Sequence, residues 1–128
     1  MNKEINHFTD LDAWKINYEL TLIIYRITEK FPKSEKFGII DQLRRASSSI
    51  IANIAEGWGR YHFSDKIRFF YQARGSNAEV QNFIILAKGL GYLNQEDYDR
   101  IEMITIQGFK IINGLIRSTE KQKTLNSK

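Results

Sequence analysis

FGIIDQLRRASSSIIANIAEGWGR, residues 37–60, contains the clearest structural signal in the chain. Its apolar and small side chains recur at alternating steps of three and four, which places them along one face of a helix. The members of this seam are Ile40, Leu43, Ser47, Ile50 and Ile54. The pattern predicts a helix over residues 35–56 that stops at the glycines of EGWGR, with small serines that permit the close approach of another helix.

The flanking sequence has the same periodicity and predicts three more helices, over residues 10–31, 64–90 and 94–118. Pro32 ends the first of them because proline supplies no N–H and disfavours helical geometry in the residue before it. The first helix carries two apolar stripes, which are Leu11, Trp14, Tyr18, Leu22 and Tyr25, and Leu20, Ile24, Ile27 and Phe31. The third helix has one long seam of Phe70, Ala73, Asn77, Val80, Ile84 and Ala87.

The fourth helix again has two neighbouring apolar stripes. They are Ile101, Ile104, Gly108, Ile111 and Leu115, and Met103, Ile106, Phe109, Ile112 and Ile116. Two stripes on one helix exceed what the interior of a small bundle needs, and exposed apolar surface of this kind indicates an interface. The sequence therefore predicts a homo-oligomer.

Short polar side chains mark the expected helix starts, since their oxygens accept hydrogen bonds from free N–H groups of the first turn. Thr9 or Asp10, Ser64 and Asn94 are the expected N-caps. Gly75 lies inside the third helix, where glycine costs about 0.5–1 kcal/mol relative to alanine. Its presence there predicts that another backbone comes close.

Four helices of this length joined by short connections predict an all-α fold, an up-down-up-down antiparallel four-helix bundle. We expect one domain over residues 1–128, with a polar tail over residues 119–128 that frays.

Composition excludes several functional classes. The 128 residues include no cysteine and only two histidines, so a disulfide scaffold, a cysteine zinc site and a thiol nucleophile are ruled out. No HExxH, GxSxG, GxGxxG or GxxxxGK[ST] motif occurs, and we expect no enzymatic activity, no cofactor and no metal. The opening MNKEINHFTD lacks the apolar core of a signal peptide, and no apolar run is long enough for a membrane span. We therefore expect a cytoplasmic protein without a membrane partner.

The formal charge of +4 is unevenly distributed and suggests a basic face. The candidate phosphate-binding residues are Arg44, Arg45, Arg60, Lys66, Arg68 and Arg74. Aromatic residues that could stack on unpaired bases lie among them at Trp58, Tyr61 and Phe63. Solvated helix faces, or ion pairs with Asp65 or Glu79, explain the same charges without a ligand, and both explanations stay open.

Asn53 and Glu56 stand out as polar residues in an apolar stretch. They could form a polar site near the end of the bundle. The favoured explanation is that they satisfy free backbone groups at the helix end or pair with a nearby arginine.

The ordered combination QLRRAS, ANIAEG, ARGS and LGYL resembles the four-helix-bundle family of the 23S rRNA intervening-sequence protein, over roughly residues 8–118. That family also includes the accessory variability proteins of diversity-generating retroelements. Ile51 departs from its pattern, because many relatives have proline there. The positions that match its signatures and that we single out are Gln42, Asn53, Glu56, Gly57, Gly75 and Ser76.

The resemblance implies a bacterial cytoplasmic protein that assembles into a ring, a homopentamer, and has no enzymatic activity. Retroelement members resemble basic barrels that bind nucleic acid and a reverse transcriptase. The leading hypothesis is thus an oligomeric bundle that binds RNA or a ribonucleoprotein through basic surfaces. The alternative is a protein-interaction scaffold or accessory subunit, for example for a reverse transcriptase, without direct RNA binding.

Overall fold

Four long helices make up most of residues 4–126, the part of the chain that the computed structural model describes, and no strand occurs in that part. They are α1 (Asp12–Thr28), α2 (Ile39–Gly59), α3 (Phe63–Gly89) and α4 (Gln95–Asn126). Both α1 and α3 pack side by side against α2 and α4, whereas the diagonal helices α1 and α3 meet only through side chains in the core. The fold is the expected up-down-up-down antiparallel four-helix bundle.

The predicted seams of α2 and α3 form much of the core. Leu43, Ile50 and Ile54 are fully buried, and every member of the α3 seam is buried. In α1, the stripe that includes Leu20 and Ile24 faces the core of the bundle. The other stripe remains partly outside, with Tyr18 and Tyr25 about two-fifths exposed. One stripe of α1 is therefore available for a contact outside the bundle.

The inner line of α4 differs from both predicted stripes and combines members of each. Its buried residues are Ile101, Thr105, Gly108, Ile112, Ile116 and Thr119. The threonines are tolerated inside because the hydroxyl of Thr105 donates to the Ile101 carbonyl and that of Thr119 to the Leu115 carbonyl, each at 2.7 Å. Met103 consequently points outward and is 62% exposed.

Two buried amides connect three helices through the middle of the core. Asn17 donates to the Ala13 carbonyl at 2.8 Å. Asn77 donates to the Asn17 Oδ1 at 3.2 Å and to the Thr105 carbonyl at 3.1 Å, and it accepts from the Gln81 Nε2 at 2.9 Å. These bonds link α1, α3 and α4 and offset the cost of burying the polar groups.

Gly108 is the glycine that this arrangement requires. A Cβ at position 108 would lie 2.5 Å from the Asn17 Oδ1, which is too close for any real contact. Gly75 is different, because it is exposed and nothing lies within 4 Å of the place where its Cβ would be. The expectation of a close backbone at Gly75 is therefore wrong.

Replacing these two glycines by alanine should change stability in opposite directions. Gly108→Ala should lower the free energy of unfolding by about 1–3 kcal/mol, since the methyl group overpacks the Asn17 amide. Gly75→Ala should raise it by about 0.5–1 kcal/mol, the difference in helix propensity. Urea denaturation followed by circular dichroism measures both, and a stability loss in Gly75→Ala would contradict the assignment of open space there.

The start of α1 differs from the expected N-cap at Thr9 or Asp10. Helix α1 follows Leu11, which makes no side-chain capping bond. The Asp10 carboxylate instead accepts from the backbone N–H groups of Asn6 and His7 at 3.0 and 3.1 Å. These bonds hold a short 3-10 turn, Phe8–Asp10, and they lower the pKa of Asp10. Neither Thr9 nor Asp10 is therefore the N-cap of α1, and the N-cap of the 3-10 turn is His7.

The starts of α3 and α4 give one wrong and one confirmed expectation. Helix α3 begins at Phe63 after His62 and has no side-chain cap, so Ser64 is not the N-cap. Asn94 is confirmed as a cap of α4, because its Oδ1 accepts from the backbone N–H of Asp97 at 2.8 Å.

The connection between α1 and α2 is longer than predicted. Bonds from the N–H groups of Glu29, Lys30 and Phe31 reach only three residues back, so the end of α1 tightens before Pro32. A 3-10 turn, Lys33–Glu35, then precedes α2, which begins at Ile39 rather than residue 35 and continues to Gly59.

The predicted end of α4 at residue 118 is wrong, because the helix continues through the polar tail to Asn126; residues 127–128 lie outside the described part. Thr119 is buried, and Glu120 accepts from the Tyr71 hydroxyl at 3.1 Å. These contacts with the bundle hold the polar segment in a helix, which composition alone does not predict.

No helix in residues 4–126 is both long and apolar enough to cross a membrane. The same residues contain no group of three or more histidine, aspartate or glutamate side chains that could hold a metal ion.

Candidate nucleic-acid interface

Two of the predicted phosphate-binding residues stabilise helix ends. Arg44 donates from Nε to the Thr28 Oγ1 at 2.9 Å and from Nη2 to the Tyr25 carbonyl at 3.2 Å, and its guanidinium lies 4.9 Å from the Tyr25 ring centroid. The carbonyls of a last helical turn lack partners within the helix, so a cation there supplies the missing bonds. Arg44 thus holds the end of α1.

Lys66 performs the same role for α2. Its Nζ donates to the Trp58 carbonyl at 2.6 Å and to the Gly57 carbonyl at 3.5 Å. Burial of the ammonium group lowers the pKa of Lys66. Gly57 itself packs against Phe70, since a Cβ at position 57 would lie 2.6 Å from that ring. Both the lysine and the glycine therefore serve the junction of α2 and α3.

Arg60 and Arg68 converge on one aromatic ring near the turn between α2 and α3. Their guanidinium carbons lie 4.7 and 4.9 Å from the centroid of Phe69. Each also faces a carboxylate, Glu56 at 3.2 Å from Arg60 and Asp65 at 3.9 Å from Arg68. All four charged side chains are at least two-fifths exposed. The arrangement presents two oriented guanidinium groups to solvent.

Tyr61 lies in the turn beside this pair and is 89% exposed. Its ring meets His62 edge-on at 5.1 Å. The other two candidate stacking residues, Trp58 and Phe63, are partly buried. Tyr61 is therefore the aromatic residue of this region that a ligand can reach most freely. We call Arg60, Tyr61, Arg68 and Phe69 the turn cluster.

Arg74 lies on α3 away from the turn cluster. Its Nη1 donates to the Asn113 Oδ1 at 3.0 Å, and its guanidinium stacks at 4.6 Å over Tyr71. These contacts connect α3 to α4. Neither Asp65 nor Glu79 pairs with Arg74, so of the suggested ion pairs only that between Arg68 and Asp65 forms.

Arg45 differs from the other five candidates, because it is exposed and has no ion pair or hydrogen bond within residues 4–126. It lies on a groove of about 220 Å³ between α2 and α3. The groove is lined by Gln42, Arg45, Ala46, Ser49, Ser76 and Glu79. Two sequence signatures that are distant in the chain therefore meet on one polar surface.

The signature residues in and beside this groove are joined by hydrogen bonds. The hydroxyls of Ser49 and Ser76 are 2.9 Å apart. Asn53 donates to the Ser49 carbonyl at 2.9 Å and to its hydroxyl at 3.1 Å. Glu56 pairs with Arg60, as the favoured explanation has it, whereas Asn53 bonds one turn back within α2 rather than at the helix end.

The fold and these surfaces define a helical bundle protein whose polar α2–α3 face carries an arginine-rich turn. The chain belongs to the 23S rRNA-intervening sequence protein family, whose model matches residues 9–114. A crystal structure of a protein of unknown function from the S23 ribosomal protein family of Bacteroides thetaiotaomicron VPI-5482 is similar in fold. It is 21% identical, with a TM-score of 0.73, over 81% of this chain and 97% of that one. No match was found among curated proteins.

The different roles of adjacent arginines give a direct test of these assignments. Arg44→Met should lower the free energy of unfolding by about 1.5–3 kcal/mol, because it removes charged hydrogen bonds to the end of α1. Arg45→Met removes the same charge and should change stability by less than about 0.5 kcal/mol. Equal losses in urea denaturation would contradict the assignment of Arg44 as a helix-end residue.

Proposed function

We propose that this chain forms a non-enzymatic homo-oligomer of the bacterial cytoplasm that binds RNA through the turn cluster of each copy. The observation that carries the proposal is the placement of two exposed guanidinium groups on Phe69 beside the exposed ring of Tyr61. Cations beside an accessible aromatic ring are the combination that binds unpaired nucleotides.

The guanidinium groups would bind phosphate. Stacking on Phe69 fixes their orientation and lowers the entropy that Arg60 and Arg68 lose when a ligand binds. Their ion pairs with Glu56 and Asp65 are exposed, and such pairs contribute about 0–1 kcal/mol. A phosphate, which accepts two parallel bonds from a guanidinium group, can therefore replace either carboxylate at little cost.

Tyr61 would supply a stacking surface. A ring that is 89% exposed offers a face to a base without rearrangement of the bundle. Base–aromatic stacking contributes about 1–3 kcal/mol per base and tolerates any base. The turn cluster therefore favours single-stranded loops and bulges of a folded RNA, where bases are unstacked, over a continuous duplex.

Repetition of the cluster would raise the affinity. Five copies of a chain with charge +4 carry about +20, and linked weak contacts gain by avidity. A surface for self-assembly is available on α1, where Trp14 and Tyr18 stack with centroids 4.7 Å apart and Tyr25 is exposed. The ring of five copies that the family resemblance implies is consistent with this exposed stripe.

Binding of a structured rRNA fragment across a salt titration tests the RNA proposal. Removal of two phosphate contacts in Arg60→Ala/Arg68→Ala should reduce the slope of log K against log salt by about 1.4 per bound chain, at about 0.7 per contact for single strands. Lys88→Ala/Lys33→Ala is the matched control, since it removes two charges elsewhere. An unchanged slope in the arginine variant, or equal changes in both, would refute the proposal.

The stacking contribution has its own control in the same assay. Tyr61→Ala should weaken RNA binding about 5- to 150-fold and leave the salt slope unchanged. Tyr61→Phe keeps an aromatic ring and should keep the affinity of the unaltered chain. Phe37 is 87% exposed and lies outside the turn cluster, so Phe37→Ala should bind like the unaltered chain.

Self-assembly is tested by light scattering at micromolar concentration. The mass should be a multiple of 15.0 kDa, and Tyr18→Glu should reduce it by placing a charge in the α1 stripe. Phe37→Glu, with the same charge at an exposed aromatic position elsewhere, should leave the mass unchanged. A single-chain mass for the unaltered protein would contradict self-assembly.

A second candidate function is a protein scaffold without direct RNA binding. It is favoured by the number of predicted phosphate-binding residues already engaged within the chain, which are Arg44, Arg60, Lys66, Arg68 and Arg74. A protein partner that co-purifies after nuclease treatment, together with absent RNA binding at about 50 mM salt, would favour this function.

A further inference from the structure

The outward side of α4 carries one continuous line of residues at steps of three and four. The line consists of Glu96, Asp99, Met103, Gln107, Lys110, Gly114, Arg117 and Lys121, and we call it the outer face of α4. All of its members are exposed except Gly114, which is partly buried. Negative charge occupies the beginning of the line and positive charge its end.

This order of charges makes the outer face complementary to itself in an antiparallel arrangement. When a second copy is reversed along the first, Glu96 faces Lys121 and Asp99 faces Arg117. Because the contact is two-fold symmetric, each of these pairs occurs twice. None of the four residues is in an ion pair within residues 4–126. Asp99 accepts one hydrogen bond, from the Gln95 Nε2 at 2.7 Å, which leaves its negative charge uncompensated.

The centre of the line is complementary in shape. In the same register Met103 faces Gly114. Met103 is 62% exposed, and only the Arg117 side chain, at 3.9 Å, lies near the place of a Cβ on Gly114. Beside this glycine lies a groove of about 460 Å³ between α1 and α4. Its lining consists of Leu11, Asp12, Ala13, Lys110, Ile111, Gly114, Leu115 and Ser118.

A methionine side chain suits this groove, because it is flexible and apolar and adapts to an irregular surface. Gln107 faces Lys110 near the symmetry axis, where the side-chain carbonyl of the glutamine can accept from the ammonium group. The match therefore extends over the whole line, about 38 Å from Glu96 to Lys121 at 1.5 Å per residue.

We propose that the outer face of α4 binds the same face of a second copy of this chain, antiparallel and across a two-fold axis. This contact goes beyond the proposed function, does not use the turn cluster, and includes only Leu11 of the exposed stripe of α1. RNA fits the outer face less well, since Glu96 and Asp99 would repel phosphate at its acidic end. A single helix pair buries little area, so the association should be weak and should weaken further as salt rises.

Charge-reversal variants of the full chain test the contact by sedimentation equilibrium at 50 mM salt. Glu96→Lys/Asp99→Lys makes the ends of the outer face wholly basic, and Arg117→Glu/Lys121→Glu makes them wholly acidic. Each variant alone should sediment with half the mass of the unaltered protein, because like charges then face each other. An equimolar mixture of the two should restore the full mass, since every facing pair is again opposite in charge.

Two further variants control for net charge. Glu4→Lys/Glu29→Lys and Lys30→Glu/Lys33→Glu make the same changes at exposed positions outside α4 and should keep the full mass. Unchanged masses in the α4 variants, or a mixture that stays at half mass, would overturn the proposal. It would also be overturned if Arg117→Glu/Lys121→Glu lost RNA affinity at unchanged mass, because the face would then bind RNA. If the turn-cluster variants bind RNA like the unaltered chain, the proposed function is refuted, but the sedimentation test of the α4 contact is unaffected.

Discussion

The bundle depends on the pair of buried amides at Asn17 and Asn77. Apolar contacts between four helices tolerate many relative shifts, whereas an amide buried in the core must meet its partners at about 3 Å. The bonds from Asn77 to Asn17 and to the Thr105 carbonyl, with Gly108 against the Asn17 amide, fix the heights of α1, α3 and α4 relative to one another. A sliding of α4 by one turn would take the Thr105 carbonyl away from the Asn77 amide and bring a side chain to the place of Gly108 against Asn17. The lost hydrogen bond alone costs about 1–3 kcal/mol.

Periodicity predicts the architecture because a helix that packs on two neighbours must repeat apolar residues every three or four positions. It identified every residue of the predicted α3 seam as buried, and all of the α2 seam except Ile40, which is partly buried next to the buried Ile39. It did not identify the buried line of α4, because Thr105 and Thr119 satisfy their hydroxyls within their own helix and thereby occupy core positions. Periodicity also predicts too early an end for α4, because the polar end of this helix is held by tertiary contacts such as that of Glu120 with Tyr71.

The roles of the individual basic residues cannot be predicted from the sequence alone. Arg44 and Arg45 are adjacent and chemically identical, but one holds the end of α1 and the other is free on a groove. Only the rotation of α2 about its axis distinguishes them. The arginines of the turn cluster lie eight positions apart and come together because a tight turn folds α3 back onto α2. Composition predicts a basic surface, and the fold determines which of its charges remain available to a ligand.

Helix α1 packs against α4, although α2 and α3 lie between them in the sequence. This packing affects how the chain folds while it is being made. Until α4 has left the ribosome, the inner faces of α1 and α3 have no cover on that side, and Asn77 lacks the Thr105 carbonyl. The nascent chain therefore exposes these inner faces to chaperones until α4 has been made. Formation of the bundle therefore waits for α4, and we expect a chain cut before Thr105 to lack both this cover and the partner of Asn77.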